Sequence, residues 1–266
     1  MAEQGSVRYT ARRLTAAGGE TLDEIVAEEV AVALVYNGIS HAVMMATPCD
    51  LEDFARGFTL SERIVEKPSE IFDIDVEPVG KGIEVRLKIA GGRMAVLQER
   101  RRSMAGRTGC GLCGVDSLDA ALRPVAAVAA PLAVSAAAIR RAMAALPAQQ
   151  PINKLNGATH AAGWADASGA LVAVREDVGR HNALDKLLGA LAKSGKSRPG
   201  GFVVVTSRCS YEMVQKAAAA GASAIAAVSA PTSLAIETAE QAGIALVAFV
   251  RGDRLTVYAH PDRIVQ

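Results

Sequence analysis

The sequence has few aromatic residues, few cysteines and almost no net charge, and each shortage excludes a class of protein. Aromatic residues make up 4% of the 266 residues, too few for a protein that binds nucleic acid by stacking bases on aromatic rings. The four cysteines are too few for a disulfide-built fold of this length. A net charge of +1 gives no general attraction to nucleic acid or to a membrane surface.

Long hydrophobic runs are also missing. The sequence contains no stretch of about 20 apolar residues free of charge, so we expect no membrane helix. Residues 1–13 lack the apolar core of a signal peptide. We therefore expect a cytoplasmic protein that keeps its thiols reduced and has no membrane or nucleic-acid partner.

The most informative feature present is a Cys-x-x-Cys pair, Cys110 and Cys113, with glycine before, between and after the cysteines. Glycine tolerates unusual backbone angles, so we expect a mobile loop at this place. Arginines at 100, 101, 102 and 107 precede the pair. A positive field favours the thiolate, which is the reactive form of cysteine. The pattern is compatible with a zinc site, a redox pair or a cysteine that carries sulfur as a persulfide.

The first two of these chemistries lack their usual context. A structural zinc site needs four ligands, whereas Cys49 and Cys209 are isolated in the sequence and the four histidines are scattered. A thioredoxin-like pair normally begins a helix after a strand, and here glycines surround it. A sulfur-carrying nucleophile, assisted by its neighbour, remains the third interpretation. No metal ligand is assigned.

The chain divides into a polar leader over residues 1–20, an α+β module over 21–131 that includes the CxxC loop, and an α/β domain over 132–266. In the second module Asn37-Gly38 predicts a hairpin turn, Asp50 a helix cap, and residues 94–97 a strand. After residue 132, short apolar strands alternate with helical segments, which predicts a sheet covered by helices on both faces.

Polar residues follow the predicted strands of the last domain. Arg180 and His181 follow one strand, Ser207 and Arg208 follow another, and His160 lies just before a strand. Ligands of alternating α/β sheets bind at the carboxyl ends of strands, where helix N-termini also supply free N–H groups. We therefore predict an anion-binding cleft suited to a nucleotide. A purely structural interpretation, with Asp177 as a helix cap and Arg180 paired to it on the surface, stays open.

A turn at the end of the last long strand carries two further cations. Arg251 and Arg254 flank Gly252, an arrangement that suits a phosphate or a guanine edge as well as an ordinary charged turn. The sequence has neither a Walker motif nor a GxGxxG pattern, which argues against ordinary NTPase or Rossmann use.

Five motifs together resemble the FdhD family, the formate dehydrogenase accessory sulfurtransferases, from about residue 28 to the C-terminus. They are residues 35–38 (VYNG), 47–51 (TPCDL), 106–114 (GRTGCGLCG), 176–186 (EDVGRHNALDK) and 207–213 (SRCSYEM). The resemblance implies an α/β fold, with a three-layer domain similar to cytidine deaminases joined to a smaller N-terminal α+β domain through the CxxC loop. It does not imply deaminase chemistry, because the H-x-E and later P-C-x-x-C of zinc deaminases are absent.

The resemblance also implies a function. A cysteine desulfurase would load sulfur onto Cys110 as a persulfide, with Cys113 assisting. The sulfur would pass to the molybdenum bis-guanine-dinucleotide cofactor before that cofactor enters a formate dehydrogenase. A guanine nucleotide is expected to mimic this acceptor, and a homodimer is expected from the high apolar content. The segment implied to bind the cofactor consists of Phe249, Val250, Arg251, Gly252, Asp253 and Arg254, with Arg180, His181, Ser207, Arg208 and His160 at the same cleft.

Other functional interpretations stay open beside this one. The first is a zinc-binding or redox regulatory protein that uses the CxxC pair. The second is a nucleotide-binding enzyme that uses residues 176–181.

Overall fold

The computed structural model describes residues 5–94, 97, 125, 127–128, 132–195 and 200–266. The predicted CxxC loop lies outside these residues, as do Cys110, Cys113 and the arginines before them. Residues 122–131, which precede the predicted boundary between the second and third parts of the chain, lie mostly outside them too.

Residues 30–89 form a four-stranded sheet with one helix packed on it. The elements are β3 (Val30–Tyr36), β4 (Ile39–Ala46), α1 (Leu51–Ser61), β5 (Ile71–Val79) and β6 (Gly82–Ile89). The strand order is β4-β3-β6-β5, and β3 and β6 are the one parallel pair among these four strands. Leu34, Tyr36, Phe54 and Leu87 form the core between the sheet and the helix. This part of the chain therefore combines strands with a helix, while the module bounds of residues 21 and 131 stay a prediction.

The leader predicted over residues 1–20 is wrong from residue 6 onward. Strand β1 (Ser6–Thr15) pairs antiparallel with β2 (Gly18–Ala27) along its whole length. Most side chains of the hairpin are exposed on both faces, so the sequence shows no alternation of apolar and polar residues. The hairpin is held instead by its backbone ladder and by cross-strand pairs such as Arg13 with Glu20 and Glu24.

Residues 160–259 form a six-stranded sheet. Its strands are β8 (His160–Ala165), β9 (Leu171–Asp177), β10 (Phe202–Val205), β11 (Ala224–Ala227), β12 (Ala245–Arg251) and β13 (Arg254–Ala259). The order is β13-β12-β11-β10-β8-β9, with β10, β11 and β12 mutually parallel. A small parallel pair, β7 (Val134–Ser135) and β14 (Ile264–Val265), lies apart from it.

Helices cover both faces of this sheet. Alternate strand residues belong to two core clusters, one shared with α2 and the other with α4, α5 and α6. The prediction of a mixed α/β fold is therefore confirmed. The helices are α2 (Ala136–Ala145), α3 (Pro151–Asn156), α4 (Arg180–Lys193), α5 (Tyr211–Ala219) and α6 (Ser233–Ala242).

Local signals in the sequence have mixed outcomes. Asn37 and Gly38 both have positive φ, so the predicted hairpin turn is confirmed. Asp50 stands at the N-cap of α1, but its side chain makes no capping hydrogen bond. The strand predicted at residues 94–97 is wrong, because residues 91–94 and Leu97 are helical. Met94 and Leu97 are nevertheless buried in the core. An apolar run this short does not distinguish a buried helix from a buried strand.

Helices α1 and α4 join the two modules by crossing at two glycines. A Cβ atom on Gly57 would lie 1.7 Å from the carbonyl oxygen of Asp185, and one on Gly189 would lie 1.8 Å from that of Asp53. No side chain fits at either position, so the two backbones touch directly. This contact fixes the N-terminus of α4, where Arg180 and His181 lie, against the N-terminal module.

Candidate functional site

The residues that the sequence analysis predicted to bind the cofactor lie along one edge of the six-stranded sheet. His160 at the start of β8 lies opposite Asp177 at the end of β9, and the Thr206 N–H after β10 donates to the Ala161 carbonyl. Because β10, β11 and β12 are parallel, their carboxyl ends open on this same edge. The residues placed there are His160, Arg180, His181, Ser207, Arg208 and the segment 249–254. The sequence predicted this juxtaposition; whether these residues bind a cofactor stays a prediction.

Two histidines and an arginine form the cluster at one end of the edge. His181 Nε2 lies 2.8 Å from Glu212 Oε2, and this contact lowers the pKa of Glu212. Burial lowers the pKa of His160, and the charge of Arg180 lowers it further. His160 is therefore neutral at pH 7, while the neighbouring His181 contacts an ionised carboxylate.

The loop after β10 carries one exposed cation and two buried small side chains. Arg208 is exposed, whereas Ser207 is buried and its hydroxyl donates to the Arg208 carbonyl. Cys209 is fully buried, and burial raises the pKa of its thiol to about 12. This environment makes Cys209 a packed interior residue, and the hydroxyl of Ser207 is bound within the loop.

The segment 249–254 presents an aromatic ring beside cations. Phe249 has a φ of +52° and is 41% exposed, although left-handed backbone costs an aromatic residue roughly 1 kcal/mol. The register of β12 and β13 slips at this point, which turns the ring away from the core. Arg251 Nε donates to the Val228 carbonyl at 3.2 Å. Val250 is 2% exposed and belongs to the core, so it does not face a ligand.

The tip of this segment is open to solvent. Gly252 has a φ of +59° and makes the turn, and Asp253 and Arg254 beside it are exposed. A cavity of about 590 Å³ begins at Asp253 and Arg254 and reaches Arg140 of α2. Strand spacing places β12 about 14 Å from β8, so a ligand that spans the edge must be extended.

Most charged residues of the 176–186 motif hold the structure together. Glu176 accepts hydrogen bonds from the N–H groups of Ile152 and Asn153 and from the Thr159 hydroxyl. Its two oxygens are thus occupied, which leaves the nucleotide-enzyme interpretation of this motif without a free carboxylate at residue 176. Among the charged and titratable side chains of the motif, those of Arg180 and His181 lie at the open edge.

Asp177 is not a surface cap. Its carboxylate is fully buried, accepts the N–H groups of Thr47 and Gly179, and lies 2.7 Å from Lys186 Nζ. The structural interpretation that pairs it with Arg180 on the surface is wrong, because Lys186 occupies that carboxylate in the interior. A second buried pair, Asp185 with Lys216, also reaches Ser61 of α1.

Cys49 lies next to the first of these pairs. Its Sγ is 3.8 Å from Lys186 Nζ, and burial raises the pKa of the thiol. It lines a cavity of about 370 Å³ together with Asp50 and Arg175. Its protonated form is favoured, which fits a structural role better than a nucleophilic one.

Within the residues that the structure describes, no three histidine, cysteine, aspartate or glutamate side chains are grouped to hold a metal ion. None of the described helices is both long and apolar enough to cross a membrane.

Glu212 is the functional candidate that the sequence analysis missed. It lies within the motif at 207–213, but neither spacing nor composition connects it to His181, which is 31 positions earlier. The position of Glu212 in the first turn of a helix after a polar loop could have suggested a role at the edge.

The fold is that of a mixed α/β protein with several sheets, and arginine and histidine side chains lie along one edge of the largest sheet described. The chain belongs to the FdhD/NarQ family, whose sequence model matches residues 27–265. The resemblance drawn from the five motifs is thereby confirmed.

Several relatives show how closely the chain fits this family. It is 57% identical over 239 residues to the sulfur carrier protein FdhD of Cupriavidus necator, covering 90% of this chain and 83% of that protein. It is 53% identical to the FdhD of Bordetella petrii, covering 93% and 89%. A crystal structure from Desulfotalea psychrophila, described as a formate dehydrogenase accessory protein, superposes with a TM-score of 0.76 at 27% identity, covering 98% and 99%.

Proposed function

We propose that this protein is a cytoplasmic sulfur carrier that serves the maturation of a formate dehydrogenase. Cys110 receives sulfur as a persulfide from a cysteine desulfurase, and Cys113 assists. The sulfur is then transferred to the molybdenum bis-guanine-dinucleotide cofactor before its insertion, so the activity is that of a sulfurtransferase. The observation that carries the proposal is the cationic edge, where Arg180, His181 and Arg208 share one rim with the segment 249–254.

The loading step is an exchange between sulfur atoms. The Cys110 thiolate attacks the outer sulfur of the desulfurase persulfide, so a new S–S bond forms on Cys110 as the donor S–S bond breaks. The cysteine of the desulfurase leaves as a thiolate, and no electrons are gained or lost overall. The arginines at 100–102 and 107 supply the positive charge that favours the attacking thiolate.

The acceptor is a large polyanion with guanine rings, and the edge offers groups for both parts. Charge-assisted hydrogen bonds from arginine bind phosphates well. An exposed aromatic ring such as Phe249 offers a flat apolar surface to a base. The span of about 14 Å between β8 and β12 suits a dinucleotide better than a single phosphate.

Intact-protein mass spectrometry tests the loading step. After incubation with a cysteine desulfurase and cysteine, we expect a mass increase of one sulfur atom that maps to Cys110 and is removed by a thiol reductant. Cys110→Ala should lose the increase, while Cys209→Ala, which changes a buried thiol, should keep it. Sulfur mapping to Cys209, or none on the wild type, would contradict the proposal.

Complementation tests the cellular role. In cells that lack their own carrier, Cys110→Ala should leave formate dehydrogenase inactive, whereas the wild type restores it. An active enzyme with Cys110→Ala would overturn the assignment.

Stoichiometric zinc in the purified protein would instead favour the zinc-binding or redox alternative. Light scattering tests the homodimer that we propose as the working form.

A further inference from the structure

The hairpin of strands β1 and β2 carries one apolar face whose outer side chains are exposed to solvent. We propose that this face is a dimer contact, which packs against the same face of a second copy of this chain. The inference rests on the homodimer of the proposed function and names the surface that forms it.

The register of the hairpin decides which side chains share this face. Residues that lie opposite each other in the two strands point to the same side, as do alternate residues along each strand. The apolar side chains that this rule places together are Val7, Tyr9, Ala11, Leu22 and Val26. Tyr9 is 61% exposed and Val26 is 37% exposed. Leu14 and Ile25 lie on the opposite face, so neither strand alternates along its whole length.

The body of the protein holds the hairpin from the other side. Ser6 is buried at the base of β1, and the Asn156 amide of α3 donates to its hydroxyl at 3.0 Å. Ser6 directly precedes Val7, so its side chain lies on the face opposite the apolar one. The strands run about 33 Å from this base to an exposed tip at Thr15 and Gly18. A two-stranded hairpin is only marginally stable in water unless a hydrophobic face is packed, so a contact on the apolar face would stabilise it.

The charges of the hairpin favour a second copy as the occupant of this face. Strand β1 is basic and β2 is acidic, through Arg8, Arg12 and Arg13 on one strand and Glu20, Asp23 and Glu24 on the other. The two sets balance, so the hairpin has no net charge to attract a polyanion or a cationic surface. A second copy carries the same two strands and can lay its acidic strand over the basic one.

Twofold symmetry then leaves face-to-face packing as the favourable arrangement. Pairing edge to edge would place β1 beside the β1 of the second copy, or β2 beside its β2, and would bring like charges together. Stacking the two faces about an axis parallel to the strands instead places each β1 over the β2 of the other copy. In that arrangement Arg13 lies over Glu20 of the second copy, in addition to its 3.1 Å contact with Glu20 of its own hairpin. Val7 lies over Val26 in the same way, so apolar side chains contact apolar ones and cation contacts anion.

Light scattering across a dilution series of the full chain tests the contact. The wild type should be a dimer that dissociates on dilution. Tyr9→Ser should raise the dimer dissociation constant at least about tenfold, because a large apolar side chain is removed from the contact in both copies. Leu14→Ser is the matched control, since Leu14 is 73% exposed on the other face of the same strand. It should dimerise as the wild type does.

Mixing two charge variants tests which residues meet. In a dimer of identical copies, Arg13→Glu places acid over acid and Glu20→Arg places cation over cation, so each variant alone should dimerise weakly. Mixed in equal amounts, the two variants bring opposite charges together at both contacts, and native mass spectrometry should find mixed dimers in excess over either pure dimer. Both variants lose the Arg13–Glu20 pair within their own hairpin, so a merely structural role of that pair would give no such excess.

Each failure has its own meaning. A wild type that is monomeric at every concentration would overturn the inference and the proposed homodimer together, would leave the face to a different protein, and would leave sulfur loading on Cys110 untouched. If the wild type is a dimer and Tyr9→Ser dimerises as tightly, the homodimer stands and the inference fails. Equal weakening by Tyr9→Ser and Leu14→Ser would also overturn it, as would charge variants that keep the wild-type circular dichroism and form no mixed dimers. If a charge variant unfolds, the two serine variants decide.

Discussion

Lys186 Nζ lies 2.7 Å from Asp177 Oδ2, and neither side chain is exposed to solvent. The same ammonium donates to the Thr47 carbonyl at 2.9 Å, and the same carboxylate accepts the Thr47 N–H at 3.0 Å. The pair thus binds the loop before α1 to the start of α4. Its removal would leave a charge in the interior without a partner.

Lys186→Met should therefore destabilise the protein by about 3–5 kcal/mol, the usual cost of breaking one side of a buried ion pair. Urea unfolding followed by circular dichroism measures the change. Lys193→Met is the control. Lys193 lies on the exposed end of the same helix, α4, and pairs there with Glu52 of α1, so this change should cost under about 1 kcal/mol. Equal effects of the two changes would show that the buried pair contributes nothing special.

Gly57→Ala should disrupt the joint between the modules. The added Cβ would lie 1.7 Å from the carbonyl oxygen of Asp185, so the helices must separate. We expect a loss of at least about 3 kcal/mol in the free energy of unfolding, in the range of severe core overpacking. The comparison variant is Gly91→Ala, where no atom lies within 4 Å of the new methyl group. A stable Gly57→Ala protein would refute the close crossing.

Arg208→Ala should weaken GDP binding about tenfold or more, because a charge-assisted hydrogen bond to phosphate contributes about 1.5–3 kcal/mol. The affinity of the wild type should also fall with added salt, and fall less steeply in the variant. Arg8→Ala removes an exposed arginine from the β1–β2 hairpin and should change neither quantity. If both variants bind alike, Arg208 does not contact the nucleotide.

The thiol of Cys209 should resist alkylation in the folded protein. Burial raises its pKa to about 12, so almost no thiolate exists at pH 8. Peptide mapping after iodoacetamide treatment should find Cys209 labelled in urea and unlabelled without it. Cys49, whose pKa burial also raises, should follow the same pattern. Rapid labelling of Cys209 under native conditions would contradict the described core.

His160 should contribute to acid sensitivity. Burial lowers its pKa in the folded state, so its neutral form stabilises the fold above its unfolded pKa of about 6.5. This contribution is lost as pH falls, because the unfolded chain binds the proton more readily. The urea midpoint of the wild type should thus drop more between pH 7 and pH 5 than that of His160→Gln. Parallel pH curves would show that His160 is not desolvated.

The sequence predicts well those features that depend on local pattern. The Asn37-Gly38 turn follows from the backbone angles that these two residues tolerate. Serine is a residue type that favours helix N-caps, and Ser135 accepts the Ala138 N–H at the start of α2. The sheet edge follows from the alternation of strands and helices, since parallel strands place their carboxyl ends together. These features need no knowledge of distant contacts.

Features that depend on distant contacts could not be predicted from the sequence. Asp177 pairs with Lys186 and Thr47, and Thr47 lies 130 positions away in the sequence. Glu212 reaches His181 only because α4 and α5 lie side by side. The β1–β2 hairpin escapes recognition for another reason, because strands exposed on both faces lack the apolar alternation by which strands are found.

The contact of Gly57 with α4 has a consequence for the gene as well as for the fold. A split between the coding regions of α1 and α4 would give two fragments. Each fragment would expose a helix surface that packs closely only on the helix of the other fragment. Each fragment would also keep one member of the Arg175–Asp53 ion pair without its partner. We expect the halves to be inherited, expressed and exchanged between relatives as one unit, and chimaeras to succeed only when both helices come from the same parent.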